Sequence, residues 1–316
     1  MGYTYGVYKF QVRNAFLAIT NKVVRKMKRM VLLGVIVVMI AGSVTATPID
    51  LQIGCRPQGM GGAYVAIVDD ANAGYWNPAG LMGVGSKQLG FMYLKPMNVE
   101  GMAISYSSLS LPLSSNWAIG ISYLDKRAGL EEGRDAKYKK NNLSESTFIL
   151  SGAHRFTSVL SAGISVNRFG LDTSIDSGSG FGYDMGLLYN YPIKEGNSLG
   201  IGLALKNFSA NFDEESFPAT VRFGVVSKLY NNKLIVAADV NTKKGVNEKK
   251  DYSLQHHAGC EVEVMQGIRI RLGEDRGNLS AGMGFAMRNW QLDYSFNKLA
   301  EYDLDHSHRA SVLMRF

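Results

Sequence analysis

The stretch SLGIGLALK, Ser198 to Lys206, places Leu199, Ile201, Leu203 and Leu205 on one face of an extended chain and Ser198, Gly200, Gly202, Ala204 and Lys206 on the other. A period of two is what a β-strand imposes on its side chains, whereas a helix would scatter these leucines around its circumference. The alternation recurs along the chain. Trp117, Ile119, Ile121 and Tyr123 oppose Ala118, Gly120 and Ser122, and Leu160, Ala162, Ile164 and Val166 oppose Ser161, Gly163, Ser165 and Asn167. Near the C-terminus Trp290, Leu292, Tyr294 and Phe296 oppose Gln291, Asp293, Ser295 and Asn297.

Alternation alone does not say which face meets solvent, because a soluble sandwich also has one apolar face. Two features of these strands favour a transmembrane antiparallel β-barrel over a soluble periplasmic β-sandwich. Their polar faces carry glycine and serine rather than long charged side chains, and several apolar faces begin or end on Trp or Tyr, as an interfacial girdle does. Fourteen strands are expected, centred on 86–95, 99–110, 115–125, 143–153, 158–170, 180–191, 197–208, 218–228, 232–242, 252–264, 268–275, 278–288, 290–298 and 307–316. An even number lets the ring close, and closure matters because unpaired backbone groups cannot face hydrocarbon.

The net charge of +7 invites a nucleic-acid reading until it is located. Lys9, Arg13, Lys22, Arg25, Lys26, Lys28 and Arg29 all precede residue 46, and the rest of the chain holds 27 basic residues against 27 acidic ones. No nucleic-acid partner is expected. The basic stretch runs into MVLLGVIVVMIAGSVTA, Met30 to Ala46, the plan of a secretory signal peptide over residues 1–46, with Met27 or Met30 giving a leader of conventional length. A retained anchor is the alternative, although the apolar run is shorter than the roughly 20 residues that span a bilayer. An exported chain is the third feature favouring the barrel.

The polar faces then line a lumen. A three-residue turn between the tenth and eleventh strands would set Glu263 opposite Arg269 and Glu261 opposite Arg271, opposite charges paired across a ladder. The polar runs Asp125 to Asn142 and Asn241 to Asp251 are expected as extracellular loops, with the pair Asn231 and Asn232 in a turn at the other end. Cys55 and Cys260 make no disulfide framework; Cys260 alternates with Ala258 and Val262 as a small apolar residue.

Between the leader and the first strand, residues 47–85 have neither helical nor strand period. Their glycines imitate a dinucleotide loop, but no buried strand precedes them and no βαβ unit follows. Asp69 and Asp70 lack the companion oxygens of a calcium loop and fit a turn or helix cap. His154, His256, His257, His306 and His308 have no zinc spacing. No catalytic residue, metal or cofactor is expected, and the chain does not read as an enzyme.

Residues 54–81, GCRPQGMGGAYVAIVDDANAGYWNPAGL, resemble the N-terminal signature of the PorV/PorQ group of outer-membrane proteins, distant relatives of FadL-type transporters of hydrophobic compounds. Beyond that segment the likeness is one of strand pattern and of the ending SVLMRF, where Phe316 looks like the aromatic end read by the barrel assembly machinery; alanine is common in the group where this chain has Cys55. The resemblance implies an outer-membrane barrel of fourteen strands with residues 47–85 folded inside as a hatch and 86–316 as the wall. It points to Gly59, Gly61, Gly62, Asp69, Asp70, Trp76, Asn77, Pro78, Ala79 and Gly80 as hatch or ligand residues, with Asn77, Pro78 and Ala79 matching the NPA element. FadL-like relatives imply a hydrophobic small molecule as partner, beside outer-membrane lipid; PorV-like relatives imply a secreted protein handed on by a type IX-like system.

Overall fold

The computed structural model describes residues 52–96, 101–132, 139–173, 177–194, 196–212, 215–216, 219–244, 252–299 and 304–316. The expected leader lies outside them. Strands β1 (Gln88–Lys95), β2 (Met102–Pro112), β3 (Trp117–Glu132), β4 (Lys139–Arg155), β5 (Leu160–Thr173), β6 (Ser177–Pro192) and β7 (Ser198–Phe212) make the first half of the sheet. After a two-residue strand, β8 (Glu215–Ser216), come β9 (Thr220–Leu229), β10 (Leu234–Lys244), β11 (Tyr252–Met265), β12 (Ile268–Asp275), β13 (Asn278–Met287), β14 (Trp290–Leu299) and β15 (Leu304–Arg315).

Each strand pairs antiparallel with its sequence neighbour, β7 pairs with β9, and β1 pairs with β15 over eight positions from Gln88↔Arg315 to Lys95↔His308. Fourteen strands thus close an up-and-down barrel, and β8 pairs only with the end of β7. A sandwich is excluded, since the ring has no free edge. The alternating faces divide as the leucines of Ser198–Lys206 require: Trp117, Ile164, Leu187, Met283 and Trp290 stand exposed on the outer face, while Ser122, Ser151, Ser165, Asp293 and Ser295 are buried inside.

Two expectations need correction. The polar runs Asp125–Asn142 and Asn241–Asp251 are not loops throughout: β3 and β4 stay paired out to Glu132↔Lys139, and β10 and β11 to Lys244↔Tyr252. Backbone pairing does not require apolar side chains, so a ladder continues past the apolar band into water. The turn between β11 and β12 has two residues, Gln266 and Gly267, with a bulge between Glu263 and Met265 that absorbs the difference and leaves Glu261 opposite Arg271 and Glu263 opposite Arg269.

The turns of two to five residues that follow β2, β4, β6, β9, β11 and β13 lie at the barrel end that also carries Gln88 and Arg315. The chain before β1 enters there. It folds into α1 (Cys55–Gly59), a tight reversal, α2 (Ala73–Trp76) and a 3-10 turn over Pro78–Gly83. Gly61 and Gly62 end α1 at φ of 64° and 83°, the left-handed region that a side chain disfavours. Pro78 ends α2 by holding Asn77 extended, and the Asn77 side chain then caps the next turn by accepting from the Ala79 N–H at 3.1 Å.

Candidate functional site: the polar seat of the inner segment

Residues 52–84 run through the barrel interior and are almost entirely buried. The first helix touches β12 to β15, and the 3-10 turn touches β2 to β6 on the opposite wall. One hub joins segment to wall. Arg56 donates through Nε and Nη2 to the two carboxylate oxygens of Glu261 on β11, at 2.9 and 3.1 Å, and through Nη1 to Asp69 at 2.5 Å and to the Tyr64 hydroxyl at 3.2 Å. Glu261 also accepts from Arg271 on β12 at 2.6 Å, and Arg271 reaches Asp293 on β14 at 2.6 Å. On the other side Lys228 of β9 pairs with Asp69 at 2.8 Å. Arg56, a buried cation, is thereby fully paired, as burial demands.

Asp69 and Asp70 share this hub on unequal terms. Burial alone would raise the Asp69 carboxyl, but Arg56 and Lys228 hold it well below the usual carboxylate range. Asp70 lies 3.7 Å from Arg56, and burial pushes its carboxyl up. It accepts from the Tyr64 hydroxyl at 2.5 Å and from the Asn72 backbone N–H at 2.9 Å, so it closes a turn as well as facing the hub. Burial raises the Tyr64 hydroxyl well above its ordinary value, keeping it a donor. A cavity of about 20 Å³ opens beside Arg56, Asp70, Asn72, Met92, Gln291 and Asp293. It has room for water but not for an organic ligand.

Three further anchors hold the segment. Asp239 of β10 accepts the backbone N–H groups of Tyr64 and Val65 at 2.6 and 2.8 Å. Asn77 donates to the carbonyls of Val65, at 3.0 Å, and of Leu187 on β6, at 3.2 Å. His257 of β11 places Nδ1 3.0 Å from the Gly61 carbonyl and Nε2 2.6 Å from Asn241.

Wall glycines complete the seat. A Cβ on Gly186 would overlap the Asn77 side chain; on Gly163, Pro78 and Ala79; on Gly202, the Val65 carbonyl; on Gly259, the Met60 carbonyl; on Gly273, the Gly61 amide. The small residues of the inner face therefore admit the backbone of the segment to van der Waals contact with the wall.

The residues singled out in the sequence fall at these contacts. Gly59 lies against Arg271 and Gly282, Gly62 beside Gln52 and His257, and Trp76 beneath Arg222 at 4.8 Å, with its indole N–H on the Ile53 carbonyl. Ala79 receives the Ser161 hydroxyl on its carbonyl at 3.2 Å, and Gly80 abuts Val68. Glu263 and Arg269 pair at 3.0 Å beside the hub without joining it. Phe316 donates its N–H to the Lys87 carbonyl at 3.1 Å. Cys55 and Cys260 are unpaired; burial raises the Cys55 thiol to about 11. Arg56, Tyr64, Lys228, Asp239, His257 and Asp293 carry much of the seat and were not foreseen as site residues.

No protein-family model matches the chain, and no curated protein matches it in sequence. Among solved structures, the toluene transporter TbuX of Ralstonia pickettii superposes with a TM-score of 0.61 at 14% identity, over 85% of this chain and 100% of that one. The Pseudomonas putida toluene transporter TodX gives 0.61 at 14% identity over 85% and 99%, and a FadL homologue of Pseudomonas aeruginosa gives 0.58 at 12% over 86% and 100%. None of the three is an enzyme by its description, and identities this low speak for fold. The chain has the fold of the FadL-type fourteen-stranded transmembrane β-barrels.

Proposed function

We propose that the protein is an outer-membrane channel for passive uptake of hydrophobic small molecules, with residues 52–84 as a hatch that must shift for passage. The observation that carries this reading is the seat itself: the segment fills the lumen yet is held by ion pairs and hydrogen bonds that can exchange for water. The fold shared with toluene transporters supports it, and fold alone does not choose a substrate.

Locking the hatch tests the idea. The Cys55 thiol lies within hydrogen-bonding reach of Ser311 on β15. In a Cys260→Ser background, Ser311→Cys should crosslink residue 55 to the wall on oxidation and stop uptake of a hydrophobic fluorophore by proteoliposomes, with recovery on reduction. Undiminished uptake by a crosslinked sample would remove the hatch from the pathway.

A second reading, a PorV-like shuttle or scaffold in a type IX-like secretion system, is favoured by the inner segment packed against the wall on opposite sides of the lumen. Retention of secreted proteins by the purified barrel, together with unchanged hydrophobic uptake after gene deletion, would select it.

A further inference from the structure

The outer face of β2 differs from its neighbours. Its outward residues Ala103, Ser105 and Ser107 are small, whereas Phe91 and Tyr93 on β1 and Tyr123 on β3 are large and exposed. Register makes these flanks: Tyr93 pairs with Ser105, which pairs with Asp125, and Phe91 pairs with Ser107, which pairs with Tyr123. The small side chains floor a shallow groove at the edge of the apolar band, walled by Phe91 and Tyr93 on β1 and by Tyr123 on β3.

Cations stand at the long-loop end of this groove. Lys95, the last residue of β1, is exposed and makes no hydrogen bond or ion pair among the described residues. Arg127, opposite Ala103, is 72% exposed, with its Nε on Asp125 at 2.8 Å. His308 of β15 faces Lys95 directly and shares its Nδ1 with the Tyr294 hydroxyl at 2.5 Å. Lys95 follows Tyr93, and Arg127 follows Asp125, on the outward faces of β1 and β3, at the edge where the apolar band gives way to headgroups. The first residue of β1 and the last of β15 lie at the opposite rim, where every connection between strands has five residues or fewer, so the cations belong to the outer leaflet.

We infer that the β1–β3 outer face binds a phosphorylated outer-leaflet glycolipid, with its phosphate held by Lys95 and Arg127 and one acyl chain laid in the groove over Ser105 and Ser107. The Asp125 carboxylate beside Arg127 orients the guanidinium and limits the site to a single anionic group. This inference rests on the outer-membrane reading, but its test uses purified protein in detergent and is independent of localisation and uptake.

Native mass spectrometry of the full chain titrated with lipid A, and separately with phosphatidylglycerol, reads the site. Wild type should retain lipid A at lower concentration than phosphatidylglycerol, and Lys95→Gln with Arg127→Gln should weaken lipid A binding by about tenfold or more, since each interfacial cation contributes roughly 1 kcal/mol. Ser105→Trp, which fills the groove and leaves both cations in place, should weaken it as well, while each variant stays heat-modifiable on a gel as a folded barrel. Equal retention of the two lipids, or a double variant that holds lipid A like wild type, overturns the assignment. Loss in the cation variant but not in Ser105→Trp would reject the acyl groove and with it the assignment as stated.

Discussion

At the residue scale, the hub sets two adjacent carboxyls in opposite roles. The Asp69 carboxyl is held low, so its contribution to the seat is present above the ordinary carboxylate value of 3.8 and fades as pH falls through the depressed value. Asp70 is raised, so its contribution is fully present below 3.8 and is lost as pH climbs through the elevated value. Asp69→Asn should therefore loosen the segment at neutral pH, whereas Asp70→Asn, which keeps one oxygen for the Asn72 N–H and removes a carboxylate whose ionisation burial opposes, should loosen it less there. In Cys260→Ser protein, the rate of maleimide labelling at buried Cys55 reports the difference; matching changes in both variants would refute the division of roles. Arg56→Met removes the cation shared by Glu261, Asp69 and Asp70; Arg271 and Lys228 remain on the first two, so the loss is that of charge-assisted hydrogen bonds worth about 3 kcal/mol. That variant should label roughly a hundredfold faster. Sequence reading reached Glu261 and Arg271 because two acids and two arginines alternate on adjacent strands. It missed Arg56, Lys228 and Asp293, whose partners lie tens to hundreds of residues away with no local periodicity to announce them. The weak signal was a lone charge at an inward position of a strand otherwise small or apolar, as with Arg222 in TVRFGVV and Asp239 in LIVAADV.

At the element scale, the wall glycines and the segment specify each other. Gly259→Ala and Gly202→Ala each drive a methyl group into backbone carbonyl of the inner segment, Met60 and Val65 respectively, and neither neighbour is the end of a flexible side chain. Both should leave the barrel heat-modifiable yet raise Cys55 labelling about tenfold or more, whereas Gly152→Ala, with nothing within 4 Å, should do neither. Unchanged labelling in the first pair would mean that the wall yields instead of the segment. The same contacts explain how much of the fold was legible. All fourteen barrel strands were foreseen because each must hide polar atoms from lipid and present a period of two. Their ends beyond the apolar band were not, since β3 past Asp125 and β10 past Asn241 satisfy their backbones with polar residues that composition alone assigns to loops. Glycine on the inner face suggested a barrel, but only the packed segment shows why glycine rather than serine stands at positions 202, 259 and 273.

At the scale of the whole molecule, two separable structures share one chain: a ring closed by main-chain hydrogen bonds and a segment seated by side chains. The ring closes at β1–β15, and its last link is the Phe316 N–H on the Lys87 carbonyl, with the Phe316 ring exposed at the rim where β15 ends. On the opposite wall Asn77 holds the segment by bridging Val65 to Leu187 on β6. Deleting Phe316 should reduce the amount of heat-modifiable barrel in the membrane, while molecules that do assemble label at Cys55 like wild type. Replacing Asn77 and Pro78 together by alanine should act in the reverse sense: each buried carbonyl left without its donor costs about 1–3 kcal/mol, and the loss of the proline restores freedom to the unseated chain. That variant should assemble normally, label faster, and alter uptake of a hydrophobic fluorophore. If the alanine variant instead fails to form a barrel, the inner segment is the core on which the wall folds, and ring and seat are one cooperative unit.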